Sequence, residues 1–380
     1  MTEPVIVGAA ETAYRRRPAD ATTRGLLADV ARRALDDAGL APRDVDGLGV
    51  ASFSLAPDHA VDLAWRLGLR LRWLMDDPNG GASGINLLAH ARRAVNAGDA
   101  SVVLLLAGDH LTHEGFRGLA DSWNAATRDH LAPIPSGGPN AVFALLTKRH
   151  MAAYGLRRED YGQVVIAQRA WAALNPGALY RAPLALGEYL AAPLVADPLT
   201  VLDCVPLVAG ADALVVAAGE RAAERPAVRV LAHAASFNAD GQDGDGLATG
   251  LSSAATSLWE RAAYGPDDVD LVSVYDDYPV MVLVQLADLG FAPDGDVRRL
   301  AAERIATGAL RFNTSGGQLC CGQAGAAGGM HGLVEAVRQL RGEAGERQVE
   351  GARLAAVSGY GMVAYRYGAA ANAVVLERRP

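Results

Sequence analysis

The sequence predicts an α/β fold made by duplication, with two copies of one strand–helix–strand–turn–helix–strand unit. Three features carry this expectation. The tripeptide Asp-Val-Asp opens a strand-like run at 44 and again at 268, 224 residues later. An unbroken apolar run at 100–107 has the composition of a strand covered on both faces. Gly-rich turns at 77–84 and 313–329 each lead into a segment of helical period, and six of the seventeen residues of the second are glycine. Repetition on this scale implies two related halves, with buried strands lying in parallel-leaning sheets between helices.

Taken in order, 5–9 reads as a short buried strand. Residues 23–38 place Leu26, Leu27, Val30, Ala31, Ala34 and Leu35 on one helical face, and Gly39 closes that helix. A strand at 44–50, the first Gly-rich turn, a helix at 85–96 and the apolar strand complete the first copy. The second copy runs through a strand at 228–235, a helix at 254–264 and a strand at 268–274. Then come the second Gly-rich turn, a helix at 330–340 with Leu333, Val334, Val337 and Leu340 on one face, and a strand at 354–358. Between the copies, residues 109–200 break the rhythm with a Pro-Ser-Gly-Gly-Pro turn at 135–139 and helices at 141–154 and beyond 162. The expected division is 1–108 with 201–227, an inserted segment at 109–200, and 228–380.

Composition narrows the function. A chain of 380 residues exceeds what one core encloses, and 51% apolar residues supply material for two. Net charge is −8 and the basic residues are dispersed, which argues against nucleic acid as a partner. The longest basic run is Arg15-Arg16-Arg17, read as a solvated face or a contact to a nucleotide phosphate. No apolar run is long enough to span a bilayer, Met1-Thr2-Glu3-Pro4 lacks the start of a signal peptide, and mean hydropathy is +0.10. The three cysteines show no metal-type spacing, so no metal site is expected and a reducing cytoplasm fits.

The ordered motifs narrow it further. Asn313-Thr314-Ser315-Gly316-Gly317, followed by Gly322-Gln323-Ala324-Gly325-Ala326, resembles the C-terminal signature of the thiolase superfamily. Gln323 occupies the family's catalytic His position. Asn79-Gly80-Gly81-Ala82-Ser83-Gly84 resembles its nucleophile turn, with Gly81 in place of Cys. Tyr275-Asp276-Asp277-Tyr278 fills the Asn/His-Glu-x-Phe place, and Gly359-Tyr360-Gly361 lies near the second Cys. Residues 109–200 resemble the loop domain of sterol-carrier-protein-type thiolases. The resemblance implies a five-layer α/β/α/β/α body with an inserted loop domain, in a homodimer whose interface lies by the strand at 101–107.

Without Cys at 81 or His at 323, covalent acyl transfer of the thiolase kind is not expected. Its wording is similar to that of the thiolase-like aldolases of the lipid-transfer-protein type, which cut steroid side chains. That resemblance implies retro-aldol cleavage of a β-hydroxyacyl-CoA, with Tyr275 and Tyr360 moving protons and Asp276 as the accompanying carboxylate. Gly81, Ser83, Gly316, Gly317 and Gln323 are then expected against the thioester. CoA enters only as part of the substrate, and the resemblance also implies a small OB-fold/zinc-ribbon acyl-CoA-binding partner. Two alternatives stand beside it: a condensing acyltransferase using Cys320 or Cys321, and a non-catalytic thiolase-fold subunit. Cys204 reads as core, and Tyr365 and Tyr367 as packing residues of a strand.

Overall fold

The computed structural model describes residues 3–16, 18–122, 124–134, 136–221, 227–239, 244–364 and 367–379. The first half begins with strand β1 (Pro4–Glu11) and helix α1 (Thr23–Ala38). Thr22 caps α1 by accepting the Gly25 N–H at 3.0 Å, and Gly39 ends it in the left-handed conformation. All six expected apolar positions of α1 are buried. The helix lies flush on β1, because a Cβ at Gly8 would come within 2.4 Å of the Ala34 carbonyl oxygen. Strand β2 (Gly47–Ala51), helix α2 (His59–Arg66), strand β3 (Trp73–Asp76), helix α3 (Ser83–Ala97) and strand β4 (Val102–Asp109) follow. Four helices of six residues or more come next: α4 (His113–Ser122), α5 (Gly138–Tyr154), α6 (Arg158–Ala173) and α7 (Leu186–Ala191). A hairpin of β5 (Leu194–Ala196) and β6 (Leu199–Thr200) leads to β7 (Gly210–Ala218).

The second half repeats the plan with β8 (Val228–Phe237), α8 (Leu251–Ala262), β9 (Leu271–Ser273) and α9 (Pro279–Asp288). After the short α10 (Val297–Arg299) and α11 (Gly317–Cys321) come α12 (Gly328–Arg341), β10 (Leu354–Ala364) and β11 (Tyr367–Arg378). The repeat extends to individual hydrogen bonds. Asp44 accepts the Ala41 N–H and Asp268 the Gly265 N–H, each closing a one-turn helix. Asp46 accepts from Ser101 and Val102 at the start of β4, and Asp270 from Arg353 and Leu354 at the start of β10. The strands expected at 44 and 268 therefore begin only at Gly47 and Leu271, because the aspartates are engaged in turns and strand starts.

Nine strands form one sheet in the order β3-β2-β4-β7-β1-β8-β11-β10-β9, and the halves meet through two residue pairs of β1 and β8. The sheet is mixed rather than parallel-leaning. β2 runs parallel to β3 and β4, and β9 to β10, while the other neighbours are antiparallel. Three apolar clusters give the layers: α1 and α2 on the outer face of the first half, α3 and α12 between the halves, and α8 and α9 outside the second. This is the expected α/β/α/β/α arrangement.

The apolar strand β4 is internal, paired to β2 on one side and β7 on the other. Its expected place at an intersubunit edge is thereby corrected. The free edge of this half is β3, a strand whose short, half-exposed pattern gives little sequence signal. Among the described residues no helix is long and apolar enough to cross a membrane.

The central helices approach so closely that a Cβ at Gly84 would stand 2.1 Å from the Gly329 carbonyl oxygen. Forcing them apart should cost about 1–3 kcal/mol, the range for overpacked cores. Gly84→Ala is expected to lower the thermal midpoint by several degrees. Gly118→Ala on α4, where an added Cβ meets nothing within 4 Å, serves as the neutral control.

Candidate active site

The site forms where β9 stops and the chain runs out at 274–278 before Pro279 opens α9. In this run Tyr275 and Asp277 turn to one cavity, while Asp276 turns to the N-terminus of α11. Tyr275 and Asp277 line a cavity of about 400 Å³, together with Gly81, Gln323 and Tyr360. Its remaining wall is largely apolar, with Phe53, Leu111, Phe116, Phe143, Val205 and Met362 among its members. A concave apolar pocket with a few convergent polar groups is the common form of a small-molecule site.

Within it, the Tyr275 and Tyr360 rings meet edge to face at 5.5 Å between centroids and 82°. Gln323 Nε2 donates to the Tyr275 hydroxyl at 2.7 Å. Tyr360 donates its hydroxyl proton to Asp277 Oδ2 at 2.7 Å, and Asp277 Oδ1 has no hydrogen-bond partner. Burial pushes the Asp277 carboxyl up to about 7, against the stabilising Tyr360 hydrogen bond. Both phenols are raised, first by burial and then by the nearby Asp277 charge.

Gly81 stands where these rings converge. A Cβ there would lie 2.4 Å from Tyr275 Cε2 and 2.3 Å from the Tyr360 carbonyl oxygen. With this tyrosine pair in place, no nucleophilic side chain fits at 81.

The other expected site residues lie outside the cavity. Asp276 is buried at the N-terminus of α11, where it accepts from the Gln318 and Leu319 N–H groups at 3.0 and 3.1 Å and from Gln168 Nε2 at 2.5 Å. Burial lifts its carboxyl to about 6 despite those donors. Gly317, with φ of 63°, is needed for this approach, since a Cβ would stand 2.1 Å from Asp276 Oδ2. The Gly316 N–H goes to the Asn313 carbonyl and the Gly317 N–H to Ser315 Oγ, so neither amide is free for a thioester. Ser83 is fully buried and donates to Asp77 Oδ1 at 2.7 Å, a turn-forming bond.

Sequence reasoning passed over Asp277. The signal that finds it is the two-residue spacing from Tyr275 at a strand exit. Cys204, read as core, is half-buried in the cavity wall, with its thiol pushed up to about 12 by burial. Arg15 pairs with Asp20, the Arg16 guanidinium lies over the Tyr180 ring, and Arg17 lies outside the described residues. Tyr365 and the Tyr367 side chain also lie outside them.

Similarity to known proteins agrees with this geometry. The family described as thiolase C-terminal domain-like matches residues 232–378. A 17-hydroxy-3-oxo-4-pregnene-20-carboxyl-CoA lyase of Mycobacterium tuberculosis is 31% identical over 361 residues, covering 90% of this chain and 92% of that one. The chain belongs to the thiolase superfamily. A steroid side-chain-cleaving aldolase of Thermomonospora curvata is 31% identical, covering 83% and 85% of the two chains. The solved structure of an Ltp2-ChsH2(DUF35) aldolase superposes with a TM-score of 0.84 at 26% identity, covering 99% and 98%. These relatives place this thiolase-superfamily protein among the carbon–carbon lyases, the aldolases of the lipid-transfer-protein type.

Cys320 and Cys321 are buried and line no part of the cavity. Burial pushes the Cys320 thiol up to about 11 and raises that of Cys321 as well, so both stay protonated near neutral pH. Replacing both with Ala should leave aldolase turnover within about tenfold, or about 1.4 kcal/mol. Loss of all activity in a folded double variant would instead assign one of them a covalent role.

Proposed function

We propose that this thiolase-superfamily lyase cleaves a β-hydroxyacyl-CoA by retro-aldol reaction, with Asp277 and Tyr360 as the base pair and Tyr275 as the acid. One observation carries the assignment: the two phenols share a cavity, but only Tyr360 gives its proton to a carboxylate. The Asp277 carboxylate accepts the Tyr360 proton as the Tyr360 oxygen takes the proton of the substrate β-hydroxyl. The electron pair of that O–H bond becomes the new carbonyl. The Cα–Cβ bond breaks, and its electrons form the thioester enolate. Tyr275 accepts a hydrogen bond from Gln323, the Gln318 side chain also lies by its hydroxyl, and among the described residues no carboxylate takes its proton. That proton goes to Cα, giving the shortened acyl-CoA. Asp277 has gained a proton and Tyr275 has lost one, so a return transfer across the adjoining rings or through solvent resets the site. The second proton of the Gln323 amide serves the thioester oxygen.

The apolar wall favours a bulky hydrocarbon on the carbonyl product. One relative is named a steroid side-chain-cleaving aldolase and another a 17-hydroxy-3-oxo-4-pregnene-20-carboxyl-CoA lyase, which supports a steroid-like ketone here. CoA is then part of the substrate and not a resident cofactor. The aldolase neighbour is named as an Ltp2-ChsH2(DUF35) protein, which supports a DUF35 partner subunit for this chain. The three free thiols fit a reducing cytoplasm.

We also propose a homodimer through β3. This free edge adjoins α2, and Val61, Trp65 and Leu74 are 63%, 77% and 40% exposed there. Pairing two such edges around a two-fold axis would satisfy the unpaired backbone groups and cover the patch. Light scattering at micromolar concentration should report a dimer, and Trp65→Glu should shift it toward monomer. A wild-type monomer would remove this interface.

General acid–base groups contribute about 10²–10⁴-fold. Tyr275→Phe, Tyr360→Phe and Asp277→Asn should each lower kcat by about that factor while folding and thioester binding persist. The assay should use a β-hydroxyacyl-CoA and a DUF35-type partner protein. Because Asp277 works as the carboxylate, kcat should rise as pH increases through about 7, where its buried carboxyl titrates. Asp277→Asn should lose that limb. Near-wild-type cleavage in both tyrosine variants would rule out this mechanism.

A further inference from the structure

A second chamber, of about 150 Å³, shares no lining residue with the catalytic cavity. Its wall includes Glu11, Tyr14, Cys321, His331 and Arg338. Glu11, the last residue of β1, stands directly opposite Asp212 in the antiparallel ladder with β7. Like charges facing each other across strands repel, and here Asp212 is fully buried. Arg338 donates to Oε1 of Glu11, which leaves Oε2 3.7 Å from His331 Nδ1.

Asp212 has no guanidinium of its own. The Tyr14 hydroxyl donates to its Oδ2 at 2.8 Å, and Oδ1 has no hydrogen-bond partner. His331 is 5% exposed, and its Nδ1 also lacks a hydrogen-bond partner. Its Nε2 lies 2.8 Å from Ser315 Oγ, which fixes the ring with Nδ1 toward the carboxylates. One donor atom from each of Glu11, Asp212 and His331 lies within 4.8 Å of the others. Two buried ligand atoms, Asp212 Oδ1 and His331 Nδ1, thus stand without a hydrogen-bond partner beside the Glu11 carboxylate.

We propose that Glu11, Asp212 and His331 bind one divalent transition-metal ion, with water in the chamber completing its shell. One imidazole and two carboxylates suit zinc or manganese. Arg338 on Glu11 and Ser315 on His331 then act as outer partners that orient the ligands. The carboxylates come from the first half and His331 from α12 of the second, so the ion would tie the halves together. It would do so behind the loop at 313–317, through Ser315, and independently of the retro-aldol chemistry.

The test uses the full-length protein after chelation, titrated separately with Zn²⁺ and Mn²⁺. Bound metal is measured by elemental analysis after gel filtration, and stability by thermal unfolding. The expected result is one ion per chain with at least one of the metals, together with a raised Tm. His331→Gln and Asp212→Asn should each weaken binding by at least about tenfold, as loss of a ligand demands. Stoichiometric binding in wild type that both variants retain would overturn the site, as would no stoichiometric binding of either metal. If a variant fails to fold, Co²⁺ added to wild type decides the matter. Visible absorption bands shifted from those of aqueous Co²⁺ support the site, and an unchanged aqueous spectrum overturns it.

Discussion

The structure depends on backbone meeting backbone where the Gly-rich turns of the two halves cross. Beyond the contact between Gly84 and Gly329, a Cβ at Gly361 would lie 2.0 Å from the Asn79 carbonyl oxygen. One at Gly359 would lie 2.4 Å from that of Gly81. Side chains cannot occupy such a junction, so the glycines of α3, α12 and β10 are a steric requirement and not a sign of flexibility. Once the turns are seated, the N-termini of α3 and α12 and the exit of β9 face one another. The cavity is what remains between them.

The same constraint sets the chemistry. A superfamily fold that elsewhere presents a thiol at the α3 turn here has its space filled by the Tyr275 ring. The lost nucleophile and the gained phenol are one packing event. Two rings at 82° bury each other's apolar faces and leave both hydroxyls turned to polar partners, Gln323 for one and Asp277 for the other. A buried phenol costs little as long as its proton and lone pairs are used. Here Gln323 meets a lone pair of Tyr275 and Asp277 takes the proton of Tyr360, which keeps both rings in the cavity wall.

Buried carboxylates are treated in contrasting ways around the cavity. Asp276 is held by two backbone N–H groups and an amide, which makes it a brace for α11. Asp109 accepts from Ser52, Ser54, the Phe53 N–H and the Ala326 N–H, tying a cavity wall to the turn that follows Gln323. Asp277 has one phenol and an unused oxygen. This contrast supports the proposed role of Asp277, since saturated acceptors have no lone pair available for a proton in transit.

Much of this was legible along the chain. The period of α1, the repeated Asp-Val-Asp, the Gly-rich turns and the apolar run of β4 are local patterns, and helices, turns and buried strands follow from local sterics and burial. Tyr275, Gly81 and Gln323 could be singled out because each departs from a motif at a definite place, and Tyr360 because it stands between two glycines near another. What the sequence left open was direction and neighbourhood. It offered Asp276 and Asp277 side by side, and the course of the chain beyond β9 sends one to α11 and the other into the cavity. It offered β4 as an edge, and only pairing with β7, more than a hundred residues away, makes β4 internal and leaves β3 exposed. Glu11, Asp212 and His331 are far apart in the chain, and they meet because two strands and a helix from different halves converge. Composition and period determine which elements form. Which side chains face one another is decided only by strand register and helix crossing, because those depend on contacts that no local stretch contains.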